Sequence, residues 1–313
     1  MPQPPTTLAD ARPDRPPHRL DPAARRHHLR RLATTAAPWL HEEIARRMAE
    51  RLGILKMQPT RLIDWWSQAG AGSALLLQQY PQAELVSVEP VETLALRQPA
   101  GSPWWRQLGQ RLGGRRIPPA IGDDQHPAPA RLLWSNMMLH WCDDLPVLLA
   151  RWHAALEIEG MLMFSCLGPD TLASLRPLFQ EQGWGDPASS FVDMHDLGDA
   201  LVGAGFADPV MDMEKLTLTW DTPAALLAEL RGLGGNTSPA RHTGLRTPRW
   251  RDGLVDALDK RLRGPDGRLR LEFEIVYGHA VRTVTRAPVK ANTEISLQAM
   301  REMTRNRGGR ATP

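Results

Sequence analysis

Cysteine is almost missing from this chain. Only Cys142 and Cys166 occur among 313 residues, with no CxxC spacing and no histidine pair beside them. That excludes a disulfide framework and a thiolate metal site as organising features, and a reducing cytoplasm is the expected compartment. Long apolar runs are absent too: none approaches the roughly 18–20 residues of a membrane span, so no membrane association is expected. Charge of one sign is not in large excess. The formal net charge is +3, too small a field to argue for nucleic acid. Tyrosine and phenylalanine are scarce, while tryptophan, proline and arginine are abundant. The stretch Met1–Pro17 is Pro-rich and lacks the apolar centre of a signal peptide.

Alternation of short apolar runs with helical periodicity fills the rest. Trp39, Leu40, Ile44, Met48 and Leu52 share helical spacing behind Pro38, with Glu42 and Glu43 in the first turn. An apolar strand, Arg61–Trp66, follows Pro59. A small-residue turn (Ala69, Gly70, Ala71, Gly72, Ser73) leads into a helix over Ala74–Gln79. Further strands are expected at 84–89, 131–135 and 161–166, with a helix over Asp144–Leu156 before the last. Beyond these come a helix over 195–205, a strand over 210–220, and a helix with Thr222 as cap and Pro223 in its first turn. A loop is expected over 232–251 and a final strand over 270–277. Strands separated by helices at this spacing indicate an α/β fold with a mostly parallel, doubly wound sheet; the two late strands are expected as an antiparallel pair at its edge. The organisation expected is a Pro-rich tail over 1–20, an N-terminal helical segment over 21–58, one domain over 59–285 and a polar tail over 286–313.

In such a sheet ligands bind beyond the carboxyl ends of the strands, near the switch point. Asp64 ends the first strand, Glu89 ends the second, and the glycine turn lies between. An acid ending the second strand can accept bonds from a ribose diol.

Several segments together carry a resemblance. Pro59–Asp64, Tyr80–Pro81 and Glu89 resemble the opening of the class I S-adenosylmethionine-dependent methyltransferases, a Rossmann-like fold with an antiparallel last strand. Trp134–Trp141 with Asp143–Pro146, Phe164–Ser165 with Leu167–Leu172, Asp193–Gly198 with Ala204–Phe206, and Phe273–His279 narrow it. They resemble the malonyl-acyl-carrier-protein O-methyltransferases of biotin synthesis, from about Trp39 to about His279.

The resemblance implies S-adenosylmethionine as cofactor and methyl transfer to the free carboxylate of a malonyl thioester, carried on acyl carrier protein or coenzyme A. It implies cofactor contacts at Asp64, Gly70, Glu89 and an acid at Asp123 or Asp124; Gly72, Ser135 and Asn136 are further cofactor candidates by their place in the chain, and His140 and Trp141 are candidates beside the substrate. No catalytic base stands out and none is needed, since the carboxylate is already a nucleophile and alignment with water exclusion supplies the rate. No metal is implied.

The family pattern has glycine two, four and six positions after the strand aspartate; here Trp66, Gln68 and Gly70 stand there, so only the last is kept. Arg131 replaces the usual aspartate entering the fourth strand, and Thr34–Pro38 lacks the usual lid tyrosine. The Trp66 indole either fills volume meant for the cofactor or turns back into the sheet. Three functions therefore stay open: an active carboxyl methyltransferase, a cofactor-free relative kept as a binding or regulatory subunit, and a methyltransferase for another small acid.

Each candidate also has an ordinary reading. Asp64, Ser135 and Asn136 can be plain turn formers, and His140 a structural histidine in an apolar run. Trp65, Trp66, Trp104 and Trp105 can be core residues rather than adenine platforms. The arginines of 25–31 and 231–251 either face solvent or receive an acidic carrier protein.

Overall fold

The computed structural model describes residues 18–91, 93 and 120–284. The expected Pro-rich start of the N-terminal tail, the polar tail from 286 and the segment holding Trp104 and Trp105 lie outside these residues.

Seven strands form one sheet: β1 (Arg61–Trp65), β2 (Glu84–Glu89), β3 (Ile121–Gly122), β4 (Ala130–Ser135), β5 (Leu156–Leu167), β6 (Phe206–Trp220) and β7 (Leu269–Arg282). Their order is β3-β2-β1-β4-β5-β7-β6. β1 to β5 pair in parallel, and β7 runs antiparallel to both β5 and β6. This is the expected α/β sheet with a reversed last strand, and the chain switches direction across the sheet between β1 and β4. Parallel strands carry apolar residues on both sides because helices cover both faces. Leu62, Leu132 and Trp134 pack into one core with Leu40, Ile44 and Met48. Their neighbours Ile63, Trp65 and Leu133 enter the opposite core with Leu29, Trp152 and Phe164.

Nine helices were found among the described residues. In the N-terminal half they are α1 (Pro22–Thr34), α2 (Trp39–Leu52), α3 (Ser67–Gly70, a single turn), α4 (Ser73–Gln79) and α5 (Leu145–Ala154). α6 (Leu175–Glu181), α7 (Met194–Gly203), α8 (Pro223–Gly232) and α9 (Pro248–Leu262) follow. Local chemistry starts most of the long ones. Asp21, Asp144, Asp193, Thr222 and Thr247 each accept a backbone N–H of their helix's first turn.

The structure departs from expectation at five elements. β1 runs one residue past Asp64, to Trp65. β5 begins at Leu156, where the helix was expected to end, and runs on past Glu159 at φ 61° and Gly160 through an irregularity in its register with β4. β6 begins at Phe206 and absorbs Pro209 in a bulge, with Asp208 at φ 49°. α6 and the start of α9 occupy stretches left without elements or expected as loop.

Candidate functional site

The tips of β1, β2 and β3 stand side by side, Trp65 opposite Val88 and Glu89 opposite Gly122. They present Asp64, Glu89 and Asp123, three carboxylates at the switch point. What lies above them is set by Trp66. This residue leaves β1 in the left-handed region (φ 59°, ψ 51°), a conformation that costs a non-glycine residue about 1–2 kcal/mol. Its N–H donates to the Val88 carbonyl at 2.6 Å. The indole extends over the strand tips, with Nε1 donating to Asp123 Oδ2 at 3.1 Å and only 4% of the residue exposed. The Arg25 guanidinium sits 5.7 Å from the ring centroid.

The next two residues take the neighbouring acid. Ser67 Oγ donates to Glu89 Oε1 at 2.6 Å, and the Gln68 backbone N–H donates to the same oxygen at 2.9 Å. The Gln68 side chain turns outward and donates to the Ala33 carbonyl at 3.0 Å, fastening the end of α1 over the turn. Between Leu29, Leu32, Trp66, Glu89 and Met138 a space of about 10 Å³ is left, roughly the room one water needs.

Asp64 is wholly buried. Oδ2 accepts from Ser73 Oγ at 2.6 Å, and Oδ1 has no hydrogen-bond partner among the described residues. Burial pushes its carboxyl up to about 7; the Ser73 bond opposes the rise and the Glu89 charge adds to it.

Of the remaining expected cofactor residues, Gly70, Gly72 and Asn136 make close contacts within the chain. A Cβ on Gly72 would stand 2.3 Å from Nε1 of the buried Trp134, and one on Gly70 would stand 3.1 Å from the Asn136 carbonyl. Glycine is required at position 72 by the chain's own packing. Gly72→Ala is expected to cost about 1–3 kcal/mol by overpacking, measured by urea unfolding; an unchanged midpoint would refute that role. Asn136 Nδ2 donates to the His41 carbonyl at 2.7 Å and the Gly70 carbonyl at 2.6 Å, while its Oδ1 accepts from Ser165 Oγ at 2.6 Å. Ser135 is buried beside it and its hydroxyl has no partner among the described residues.

His140 and Trp141 lie in a 3-10 turn, Leu139–Trp141, and face a separate chamber of about 360 Å³. The chamber lies among the sheet, α6, α8 and α9, walled by Leu175, Leu230, Trp250, Leu254 and Phe273, and the exposed Arg231, Arg246 and Arg251 also line it. His140 packs 4.9 Å from the Trp141 ring and 5.8 Å from Phe191. Burial holds its pKa well below the usual imidazole value, with His41, His18 and His28 adding to the fall; the ring is neutral near pH 7. Among the described residues no group of three or more metal-ligating side chains converges, and no helix is long and apolar enough to cross a membrane.

Sequence reasoning missed two parts of this region. His41 is buried with Nδ1 at 2.8 Å from the Ala69 carbonyl, and burial lowers its pKa to about 4 against that bond. The chamber walls from α6 and α9 were missed with those helices, although Leu254, Leu258 and Leu262 repeat every fourth residue.

Known proteins resemble the chain over most of its length. The malonyl-[acyl-carrier protein] O-methyltransferase of Gallionella capsiferriformans is 40% identical over 256 residues, 80% of this chain and 87% of the relative. That of Laribacter hongkongensis is 37% identical, over 79% of this chain and 84% of the relative. The chain belongs to the malonyl-[acyl-carrier protein] O-methyltransferase family. No family profile matches the chain. Among solved structures, the YcgJ protein of Bacillus subtilis aligns with 76% of this chain and 99% of its own at 9% identity and a TM-score of 0.48.

Membership of a methyltransferase family sets a test for the strand tips: whether they fit a nucleoside-bearing methyl donor. The acids suit one. The space does not, because bound small molecules of that size fill roughly 300–1,000 Å³ and about 10 Å³ is left here. Glu89 and Asp123 already accept from Ser67, Gln68 and Trp66. Among the described residues, the space left over Glu89 and Asp123 in this arrangement is too small for the donor.

Proposed function

We propose that the chain is an O-methyltransferase of the free carboxylate of a malonyl thioester, with S-adenosylmethionine as its donor, in the synthesis of a biotin precursor. Family membership carries this reading: the relatives named for the activity are 34–40% identical over about four-fifths of the chain. Two features of the molecule support it. A carboxyl and two carboxylates stand at the tips of β1, β2 and β3, where a nucleoside's hydroxyls and amine need acceptors. The neighbouring chamber is walled by apolar side chains that keep water from an acyl thioester, which raises the reactivity of a carboxylate brought into it.

A second reading has its own observation. The filled space above the strand tips favours a cofactor-free relative that holds a thioester or a partner in the chamber without transferring a methyl group.

One assay separates the two. The full-length protein is incubated with S-adenosylmethionine and malonyl-acyl carrier protein, and the methyl ester is sought by mass spectrometry. Turnover supports the first reading; its absence from both this protein and a Trp66→Gly variant that binds the donor supports the second.

We also propose that the carrier of the substrate is acidic and meets the arginines beside the chamber. Complementary charge steers such encounters and is screened by salt. The double variant Arg246→Glu/Arg251→Glu is expected to raise KM for malonyl-acyl carrier protein at least fivefold at low ionic strength, with kcat unchanged. KM for a small uncharged malonyl thioester should not move. An equal rise for both substrates would place these arginines against the malonyl group instead.

A further inference from the structure

We propose that Trp66, Ser67 and Gln68 are an intramolecular occupant of the donor's nucleoside seat, so that the donor enters only when this segment leaves. The inference rests on the methyl-transfer reading and adds a self-competitive step to it.

The argument is one of matched chemistry at matched places. A nucleoside held at the tips of β2 and β3 needs an acceptor for its ribose diol and another for the exocyclic amine of its base. Glu89 and Asp123 are those acceptors by position. In this chain Glu89 Oε1 takes a hydroxyl proton from Ser67 and a backbone N–H from Gln68, two donors on one carboxylate. Asp123 Oδ2 takes an N–H from a flat bicyclic ring, the Trp66 indole. Serine hydroxyl, backbone amide and indole thus supply the donors a bound nucleoside would supply, and the ring supplies its bulk. Glu89 is buried, and a donor lost to a buried carboxylate oxygen is costly. Ser67 and Gln68 supply donors to its Oε1 in the absence of ligand, while Asp123 also accepts from the Val91 N–H at 3.2 Å.

One further observation shows that the segment is held closed, and another that the closed form is strained. The Gln68 side chain donates to the Ala33 carbonyl at 3.0 Å at the end of α1, and α1 is fastened elsewhere by Asp21 N–H on the Thr237 carbonyl at 2.8 Å. Trp66 is held at φ 59°, where glycine is favoured, so the closed form carries backbone strain that release would relieve. Asp64 meanwhile keeps Oδ1 buried and without a partner among the described residues, an acceptor at the same tips that the segment does not reach.

The test is binding, not turnover. S-adenosylhomocysteine is titrated by calorimetry into the full-length protein and into Trp66→Gly, Trp66→Phe and Ser67→Ala variants, each checked for its fold by circular dichroism. Trp66→Gly suits the left-handed backbone and is expected to bind at least thirtyfold more tightly than the unaltered chain. Trp66→Phe keeps bulk but loses the bond to Asp123, and Ser67→Ala unloads Glu89; each should tighten binding threefold to tenfold. Affinities within threefold of the unaltered protein in all folded variants, or no binding by any of them, would overturn the proposal. Should Trp66→Gly not fold, the other two variants decide alone. Tightened binding without a methyl ester would sink only the methyl-transfer reading, and methyl ester formation with unchanged affinities would sink only the occupant.

Discussion

Asn136→Ala is expected to lower the unfolding free energy by on the order of 3–6 kcal/mol, the largest effect of any side-chain truncation at the site. The side chain is wholly buried and makes three bonds, to the carbonyls of His41 and Gly70 and to the hydroxyl of Ser165. Removing it takes a partner from three buried polar groups, at about 1–3 kcal/mol for each left unsatisfied; Ser165 Oγ keeps the Met137 N–H at 3.1 Å. Those groups belong to α2, the turn after β1, and β5, so one amide joins three elements around the strand tips. Asn136→Asp is expected to do no better, because it turns a donor into an acceptor facing two carbonyls. Urea unfolding would show a lower midpoint with little change in slope. A loss under about 1 kcal/mol would mean that water replaces the amide, and that the turn is not held by it.

This residue shows where sequence reasoning reached and where it stopped. Ser135–Asn136 at the end of β4 was legible as a site-lining pair, because a polar pair ending an apolar strand at the switch point has a place but not a direction. Direction depended on partners far along the chain, His41 among them, 95 residues away. Trp66 is the sharper case. Its replacement of a glycine was visible, yet the choice between crevice and sheet was settled by Asp123, 57 residues on, and by a left-handed backbone that tryptophan seldom adopts. The strands were easier, since Leu62-Ile63 and Leu132-Leu133-Trp134 are apolar on both faces and admit only a covered parallel sheet. Missed boundaries had local causes. Gly160 and Pro209 look like breakers, and the sheet takes both in by irregular backbone. α9 was hidden because its cap, Thr247-Pro248, closes a run of glycine and arginine that resembles loop throughout.

The chamber was illegible for a different reason. Its walls come from segments far apart in the chain, Leu175, Leu230, Leu254 and Phe273 among them. Each of these leucines belongs to an ordinary amphipathic stripe. Only packing reveals that the stripes stand apart and leave a space between them.

Asp64 yields the second large effect, a dependence of stability on pH with a definite sign. Burial raises its carboxyl from 3.8 to about 7, against the Ser73 bond and with the Glu89 charge. The folded chain therefore holds a proton that the unfolded chain has released between about pH 4 and pH 7, so this group's contribution to stability is fully present below pH 4. It is lost as pH rises through 7. Asp64→Asn carries no charge at any pH and keeps a partner for Ser73, so its stability should not follow that slope. Relative to the unaltered chain, the variant is expected to gain on the order of 3 kcal/mol between pH 4 and pH 8. At roughly 2–4 °C per kcal/mol for a domain of this size, the difference in melting temperature should widen by about 6–12 °C across that range. Parallel melting curves for the two proteins from pH 4 to pH 8 would mean that Asp64 ionises at the ordinary carboxylate value, and hence that water reaches Oδ1. That outcome would also mean that the tip of β1 is open to water at Asp64, where Oδ1 is otherwise buried without a partner among the described residues.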